Sequence, residues 1–322
     1  MTAQTAGRVA SAVPAPTSAG GGARRRRRNE ALVAYALITP ALLAFVFFMA
    51  IPMLLTLVLS LFNWTGISLG SLDFAGLDNY RKLFADQQFW GALQNNVLFI
   101  LLGMTGAVAL GMFLAVRLER AVPGSSFFRG LFFMPTVLST VVIAIVFTFL
   151  LSPVFGIVTP ILKFVGIEFK QGLLGDPNTA LYTIIAVEIW RAFGFAMFLF
   201  VAGLKGLDHN LIEAARLDGA NDFQIFWRIT FPILRPVTLL VATLVGIQTL
   251  KLFDLVYVMT GGGPQHASEV LTTFSYSEAF NYNNVGYGSA IAVMLLVITF
   301  LLTILRFKIL PDSARDETGS ER

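Results

Sequence analysis

Six stretches of this 322-residue chain run almost without interruption through apolar residues for about 20 positions, the length a helix needs to cross a bilayer. They fall at roughly 31–61, 93–117, 130–152, 179–205, 237–259 and 286–306. Inside hydrocarbon each backbone N–H and C=O must be bonded within the protein, so such spans fold as helices. The expected architecture is therefore all-α, a polytopic membrane protein with six transmembrane helices. Only 13% of the residues are charged, against about a quarter in soluble domains. The first run is long enough to tilt or kink, with Pro40 and Pro52 supplying breaks. Between 153 and 178 a short apolar piece, Ile157 to Val165, is expected to be interfacial or re-entrant.

Lys and Arg set the expected orientation. With the N-terminus inside, 17 of the 23 basic residues fall on the cytoplasmic side, and only Arg81, Lys82, Lys163 and Lys170 lie outside. Arg191 and Lys251 remain within spans. Both termini are thus expected in the cytoplasm. Residues 1–30, rich in small residues and closing on Arg24 to Arg28, are expected as a disordered cytoplasmic tail. The arginines beside an apolar run resemble a signal peptide, but that run is about twice the length of a signal core of roughly 7–15 residues. They anchor topology rather than bind nucleic acid. A transmembrane domain over 31–310 and a cytoplasmic C-terminal tail over 311–322 complete the expected organisation.

The segment "EAARLDGANDFQIFWRITFPILRP", Glu213 to Pro236, departs from this greasy pattern. Asn210 is placed to cap a helix, with Glu213 three residues on as the partner of a capping box. That helix should stop at Gly219, which takes the left-handed conformation readily. Asn221 then caps a second helix through Phe223, Phe226 and Trp227, which Pro232 ends. The product is an elbow over 210–236. An amphipathic hairpin lying on lipid would carry Lys and Arg along its polar face, which the first helix does not. A rigid peg that docks in a groove of a partner fits better.

Position by position, Glu213-Ala214-Ala215, Asp218-Gly219-Ala220, Phe226, Ile229, Pro232 and Pro236 resemble the EAA loop of binding-protein-dependent ABC importer permeases. The resemblance reaches most of the chain. Phe74 to Asn96 is similar to the first external loop of the carbohydrate branch, Arg129 to Phe147 to its third span, and Phe253 to Pro264 to the end of its fifth. It implies a permease of the bacterial plasma membrane with the type I importer fold, serving an ATP-driven importer of sugars, polyols or glycerol phosphate. The implied partners are a second, different permease, two ATPase subunits, an extracellular solute-binding protein and the lipid around the spans. In that family the elbow couples to the ATPase, which assigns Glu213, Ala214, Ala215, Asp218, Gly219, Ala220, Phe226 and Pro232 to coupling. ATP and Mg belong to the ATPase, and no cofactor is expected on this chain. In agreement, no G-x-x-x-x-G-K-[ST] occurs in it. Gly261 to Gly263 read as a tight turn leaving the fifth span.

Ionisable residues at membrane depth face a cavity or a partner. Glu188 with Arg191 and Lys251 with Asp254 are each spaced i, i+3, which puts each pair on one helix face. Two roles stay open: ties between helices, or a polar ring along a solute route. The resemblance to maltose-type permeases implies solute contacts at Glu188 to Phe195 and Gln248 to Lys251. That makes Glu188, Arg191, Phe195, Gln248, Thr249 and Lys251 the candidate pathway residues. Trp190, Phe193 and Phe195 offer flat faces to sugar rings, and Tyr257 is a further candidate. Gly103, Gly106, Gly111, Pro135, Gly194 and Gly203 permit close packing and bending within spans. With no Cys and only His209 and His266, far apart in sequence, neither disulfide nor metal chemistry is expected. The six spans carry no internal repeat of the kind common in ion-driven transporters. No H-E-x-x-H or G-x-S-x-G supports an intramembrane enzyme.

Overall fold

The computed structural model describes residues 20–119, 124–164, 166, 169 and 171–309, in two units divided between Leu55 and Thr56. The first unit is helical. In it α1 (Gly20–Phe45) passes through a π-turn (Val46–Ala50) into α2 (Ile51–Leu59), whose end belongs to the second unit. Residues 20–30, expected as part of a disordered tail, are helical instead, since Ala and Arg are strong helix formers that prolong the span. The rest of that tail and the whole C-terminal tail lie outside the described residues. Pro40 sits inside α1 without ending it. The adjustment comes just ahead of Pro52, where the Ile51 N–H bonds the Val46 carbonyl one residue further back than in an α-helix.

In the second unit a two-residue antiparallel ladder, β1 (Phe62–Asn63) with β2 (Asp73–Phe74), leads to α3 (Asp78–Ala85). The buried Asn79 amide donates to the carbonyls of Ser60 and Phe62 and fixes α3 against the end of α2. Next come α4 (Gln87–Leu98), a π-turn (Phe99–Met104) and α5 (Thr105–Glu119), one run of 33 residues. It starts ahead of the expected 93 because Asp86 caps it, accepting from the Gln88 N–H at 2.9 Å. The chain continues with α6 (Ser125–Val137), α7 (Thr140–Leu150), the short α8 (Val158–Phe164) and α9 (Ala180–Leu204). The elbow comprises α10 (His209–Leu217), α11 (Asp222–Ile225), a π-turn (Phe226–Thr230) and α12 (Phe231–Ile233). Then follow α13 (Arg235–Leu250), α14 (Asp254–Thr260), α15 (Leu271–Tyr276), a π-turn (Ser277–Asn281) and α16 (Val285–Ile309).

Among the described residues four helical runs are long and apolar enough to cross a membrane: Leu32–Leu59, Gln87–Glu119, Ala180–Leu204 and Val285–Ile304. The expected third span, 130–152, is not one straight helix. It turns by 97° between α6 and α7, where Leu138 and Ser139 are extended. Pro135 removes a ladder donor, and α6 closes on a tighter bond from the Leu138 N–H to the Pro135 carbonyl. The expected fifth span, 237–259, ends early at Leu250, and three residues separate it from α14.

The core is built around α9. It is crossed by α5, with Ala107, Met112 and Ala115 buried against Ala192, Ala196 and Phe200. A Cβ on Gly111 would lie 2.7 Å from the Ala196 Cβ and 2.8 Å from the Met197 nitrogen. One on Gly194 would lie 2.1 Å from the Phe132 carbonyl oxygen of α6. Backbone meets backbone at both crossings, the role that small residues have between packed spans. Overpacking such a site costs about 1–3 kcal/mol or more. Gly194→Ala should therefore lose most of the folded protein on size exclusion. Gly130→Ala, whose added Cβ meets nothing within 4 Å, should leave stability unchanged or raise it slightly, and equal behaviour of the two would contradict the crossing.

Candidate functional site

The elbow begins where Leu207 is buried and turns the chain out of α9 through bonds from the Gly206 and Leu207 N–H groups to Gly203 and Leu204. Asp208 is the first residue after this anchor, and its carboxylate accepts from the Asn210 N–H at 3.0 Å. The cap is therefore Asp208 and not Asn210, so the expected capping box with Glu213 does not form. Glu213 lies more than a turn beyond the cap and its side chain is exposed. At the other end Gly219 has φ +84°, the Ala220 N–H bonds the Ala215 carbonyl and the Gly219 N–H bonds that of Arg216. That is a Schellman stop of the expected kind. Asn221 caps the second half in a full capping box: its Oδ1 accepts from the Gln224 N–H at 2.9 Å, and Gln224 Oε1 accepts from the Asn221 N–H at 3.0 Å. An Arg216–Asp222 ion pair of 3.5 Å spans the corner.

Pro232 does not end the second helix. The π-turn ahead of it lets the Phe231 N–H reach Phe226, and the helix continues to Ile233. The chain then bends by 71° into α13, which opens with Pro236 in its first turn, a position where no N–H is needed. Phe226 and Phe231 fasten the elbow to the core around Phe200, Leu204 and Leu234. Ala215 and Ala220 are half-buried, whereas Ala214 and Asp218 are exposed beside Glu213. Leu217 at 90% and Phe223 at 71% stand open at the tip.

The charged layer lies some 16 residues along α9 from the elbow, roughly 24 Å at 1.5 Å per residue. Glu188 is 1% exposed and holds Arg191 through two bonds, Nε to Oε2 at 2.8 Å and Nη2 to Oε1 at 2.7 Å. Asp254 bears electrostatically on the same guanidinium. Lys251 and Asp254, expected on one helix face, flank the break instead. Lys251 closes α13, Asp254 opens α14, and no ion pair joins them among the described residues. The carbonyl of Leu252, freed by the break, accepts from the Thr272 hydroxyl at 2.7 Å. Lys251 and Gln248 are exposed.

Thr249 is fully buried, with its hydroxyl bonded to the Val245 carbonyl and its methyl packed where α13 meets Gly103. It leaves the set of pathway candidates. Phe193, 6% exposed, packs edge-on against Phe132 and presents no face to a solute. Phe195 is half-buried against the core, and Trp190 keeps 39% exposure with its edge on Phe147. Among the described residues no group of three His, Asp or Glu gathers as a metal site.

Sequence reading passed over one polar cluster. Gly261 and Gly262 make the expected turn with φ +61° and +88°, and the loop beyond it is clamped to α4. Asn95 donates to the carbonyls of Ala267 and Glu269, Asn96 accepts from the Leu271 N–H, and buried Glu269 accepts from Gln88 and pairs with His266. The available signal was the run of Gln and Asn at the start of an otherwise apolar helix.

The second unit is thus a multi-helix body carrying a capped elbow and, on its central helix, a buried ion pair. Residues 107–312 match the family described as binding-protein-dependent transport system inner membrane component, and the chain belongs to it. The probable ABC transporter permease protein YurN of Bacillus subtilis is 38% identical over 280 residues, covering 86% of this chain and 95% of that protein. The multiple sugar-binding transport system permease protein MsmF of Streptococcus mutans is 34% identical over 275 residues, covering 85% and 93%. In fold, the chain is similar to a subunit of the crystal structure of a bacterial alginate ABC transporter in complex with an alginate pentasaccharide-bound periplasmic protein. The TM-score is 0.75 at 20% identity, with 87% and 94% coverage.

Removing one partner of a buried ion pair costs about 3–5 kcal/mol because the other charge is stranded. Glu188→Ala should accordingly destabilise the purified protein strongly in a thermal-shift assay, and Glu188→Ala/Arg191→Ala should recover much of the loss. A double variant as unstable as the sum of its parts would contradict the pairing.

Proposed function

We propose that this chain is the membrane permease of an ATP-driven, binding-protein-dependent importer of sugars or closely related polyols. It works beside a second, different permease and two ATPase subunits that hold ATP and Mg. Both termini and the elbow face the cytoplasm, a reading supported by the 17 of 23 Lys and Arg that fall on that side. The observation that carries the coupling role is the elbow itself: doubly capped, rooted in the core by Phe226 and Phe231, and tipped with Leu217 at 90% exposure. A stiff peg with an apolar tip and acidic flanks at Glu213 and Asp218 suits a groove on a partner. A half-open groove of about 760 Å³ runs between α5 and the second half of the elbow. The name of the Streptococcus relative supports sugars as the solute class.

In this mechanism a loaded binding protein docks on the outer loops, ATP closes the ATPase dimer, and the elbow moves with it. The bend at Leu234 and the core around Leu204 pass the movement to α13 and α9. Hydrolysis resets the spans. Glu188 and Arg191 neutralise each other within α9, while Lys251 and Gln248, exposed at the break, offer donors to the solute.

The chain has no Cys, so Leu217→Cys supplies a unique label. In the assembled complex it should cross-link to the ATPase. Gly219→Leu, forced into a left-handed backbone, and Glu213→Ala should both lower ATPase attachment and uptake by an order of magnitude or so, about the cost of one distorted or lost contact. Lys251→Ala should lower uptake while the complex still assembles. Full uptake by both elbow variants, with no cross-link from Cys at 217, would defeat the coupling role.

A further inference from the structure

Four aromatic side chains meet at the end of α13 away from the elbow. Phe253, the residue just ahead of α14, and Tyr257, a turn further on, stack with centroids 5.0 Å apart and planes 16° apart. Tyr276 of α15 closes on them at 5.2 and 5.1 Å, and Phe280 extends the row 5.0 Å beyond Tyr276. Rings gathered for core packing would be covered, yet Tyr257 is 39% and Phe280 69% exposed.

The setting of this row is polar. Asp254 stands three residues before Tyr257, so α14 presents both on one face, and both are exposed. Lys251 and Gln248 are exposed at the break where the row begins. Charges beside open rings do not suit a face turned to hydrocarbon. A membrane-interface belt sets Tyr and Trp around the rim of a protein at headgroup level. Here four rings touch in sequence across two helices and lead into a charged break. Flat apolar surfaces flanked by a few donors and acceptors match a carbohydrate, whose C–H faces lie on aromatic rings while its equatorial hydroxyls seek polar groups.

We propose that Phe253, Tyr257, Tyr276 and Phe280 form a stacking track for sugar rings, ending at Lys251, and that it makes the permease favour chains of several rings over short ones. The proposal rests on the sugar-import reading above. From Phe253 through Tyr276 to Phe280 the ring planes tilt by 58° and then 36°, so the row offers successive faces, one to each adjoining ring of a chain. Each added ring gains a stacking contact, and a single contact is worth a few-fold in affinity.

The test uses the complete complex, with its second permease, ATPase and binding protein, in proteoliposomes at saturating binding protein. Uptake is measured for maltose and maltotetraose and for the dimer and tetramer of mannuronate, a neutral and an acidic pair. In Phe280→Ala and Tyr276→Ala the tetramer-to-dimer uptake ratio should fall roughly three- to tenfold, and Tyr276→Phe should restore it. Phe127→Ala, at an equally open ring (70% exposed) on α6, should leave the ratio unchanged. Phe280 is exposed enough that its loss does not threaten folding, and assembly is checked by size exclusion. A ratio unchanged in both Ala variants, or dimer and tetramer falling alike, overturns the track while import stands. Uptake by the wild type that proceeds with ATPase and binding protein withheld overturns the import reading beneath it.

Discussion

The crossing of α5 and α6 over α9 at Gly111 and Gly194 brings backbone against backbone within the second unit. Because those contacts leave no slack, α9 behaves as a shaft held near its middle. One end carries Glu188 and Arg191; the other runs through Leu204 and buried Leu207 into the elbow. In the proposed mechanism a displacement at the elbow would reach the charged layer through a rigid element and not through a chain of loops. Packed interiors of this density transmit strain. The second route, through Phe231, Leu234 and α13, ends at the break beside Lys251. Both routes end in the layer that holds Arg191 on α9 and Asp254 at the start of α14.

The breaks follow from the same constraint that makes the spans helical. A carbonyl released in a low-dielectric setting has to find a donor. At the fifth-span break the Thr272 hydroxyl supplies it for Leu252, and at the elbow the π-turn before Pro232 reroutes the ladder with little loss of bonds. Each irregularity is thus closed by a specific side chain or a shifted bond, which leaves Lys251 free to project. The end of the molecule away from the elbow is held in another way. Asn95, Asn96 and Gln88 clasp the loop around Glu269 and so tie α4 to the segment that follows α14.

Local signals carried through from the sequence. Gly219 stops α10, Asn221 with Gln224 starts α11, and Glu188 with Arg191 pairs on one face, since each depends on residues three or four apart. What failed depended on distant partners. Asp208 takes the cap from Asn210 because burial of Leu207 sets where the chain leaves α9. Hydropathy could not reveal the end of α13 at Leu250, whose compensating hydroxyl lies on Thr272, 20 residues beyond Leu252. Lys251 and Asp254 lose their shared face for the same reason, and Thr249, which the resemblance puts in a solute-contacting stretch, turns its hydroxyl back onto its own helix, a choice of rotamer that residue type and position do not report. The aromatic row joins two helices whose contact no periodicity reports.

One claim stands under the mechanism: the energy for movement enters from outside this chain, through the elbow. Uptake by proteoliposomes holding this permease and its second permease tests it most directly, with ATPase, ATP and binding protein added or withheld in turn. The account predicts accumulation only when all three are present, and none from a proton gradient alone. Accumulation driven by a proton gradient, with the ATPase absent, would contradict it.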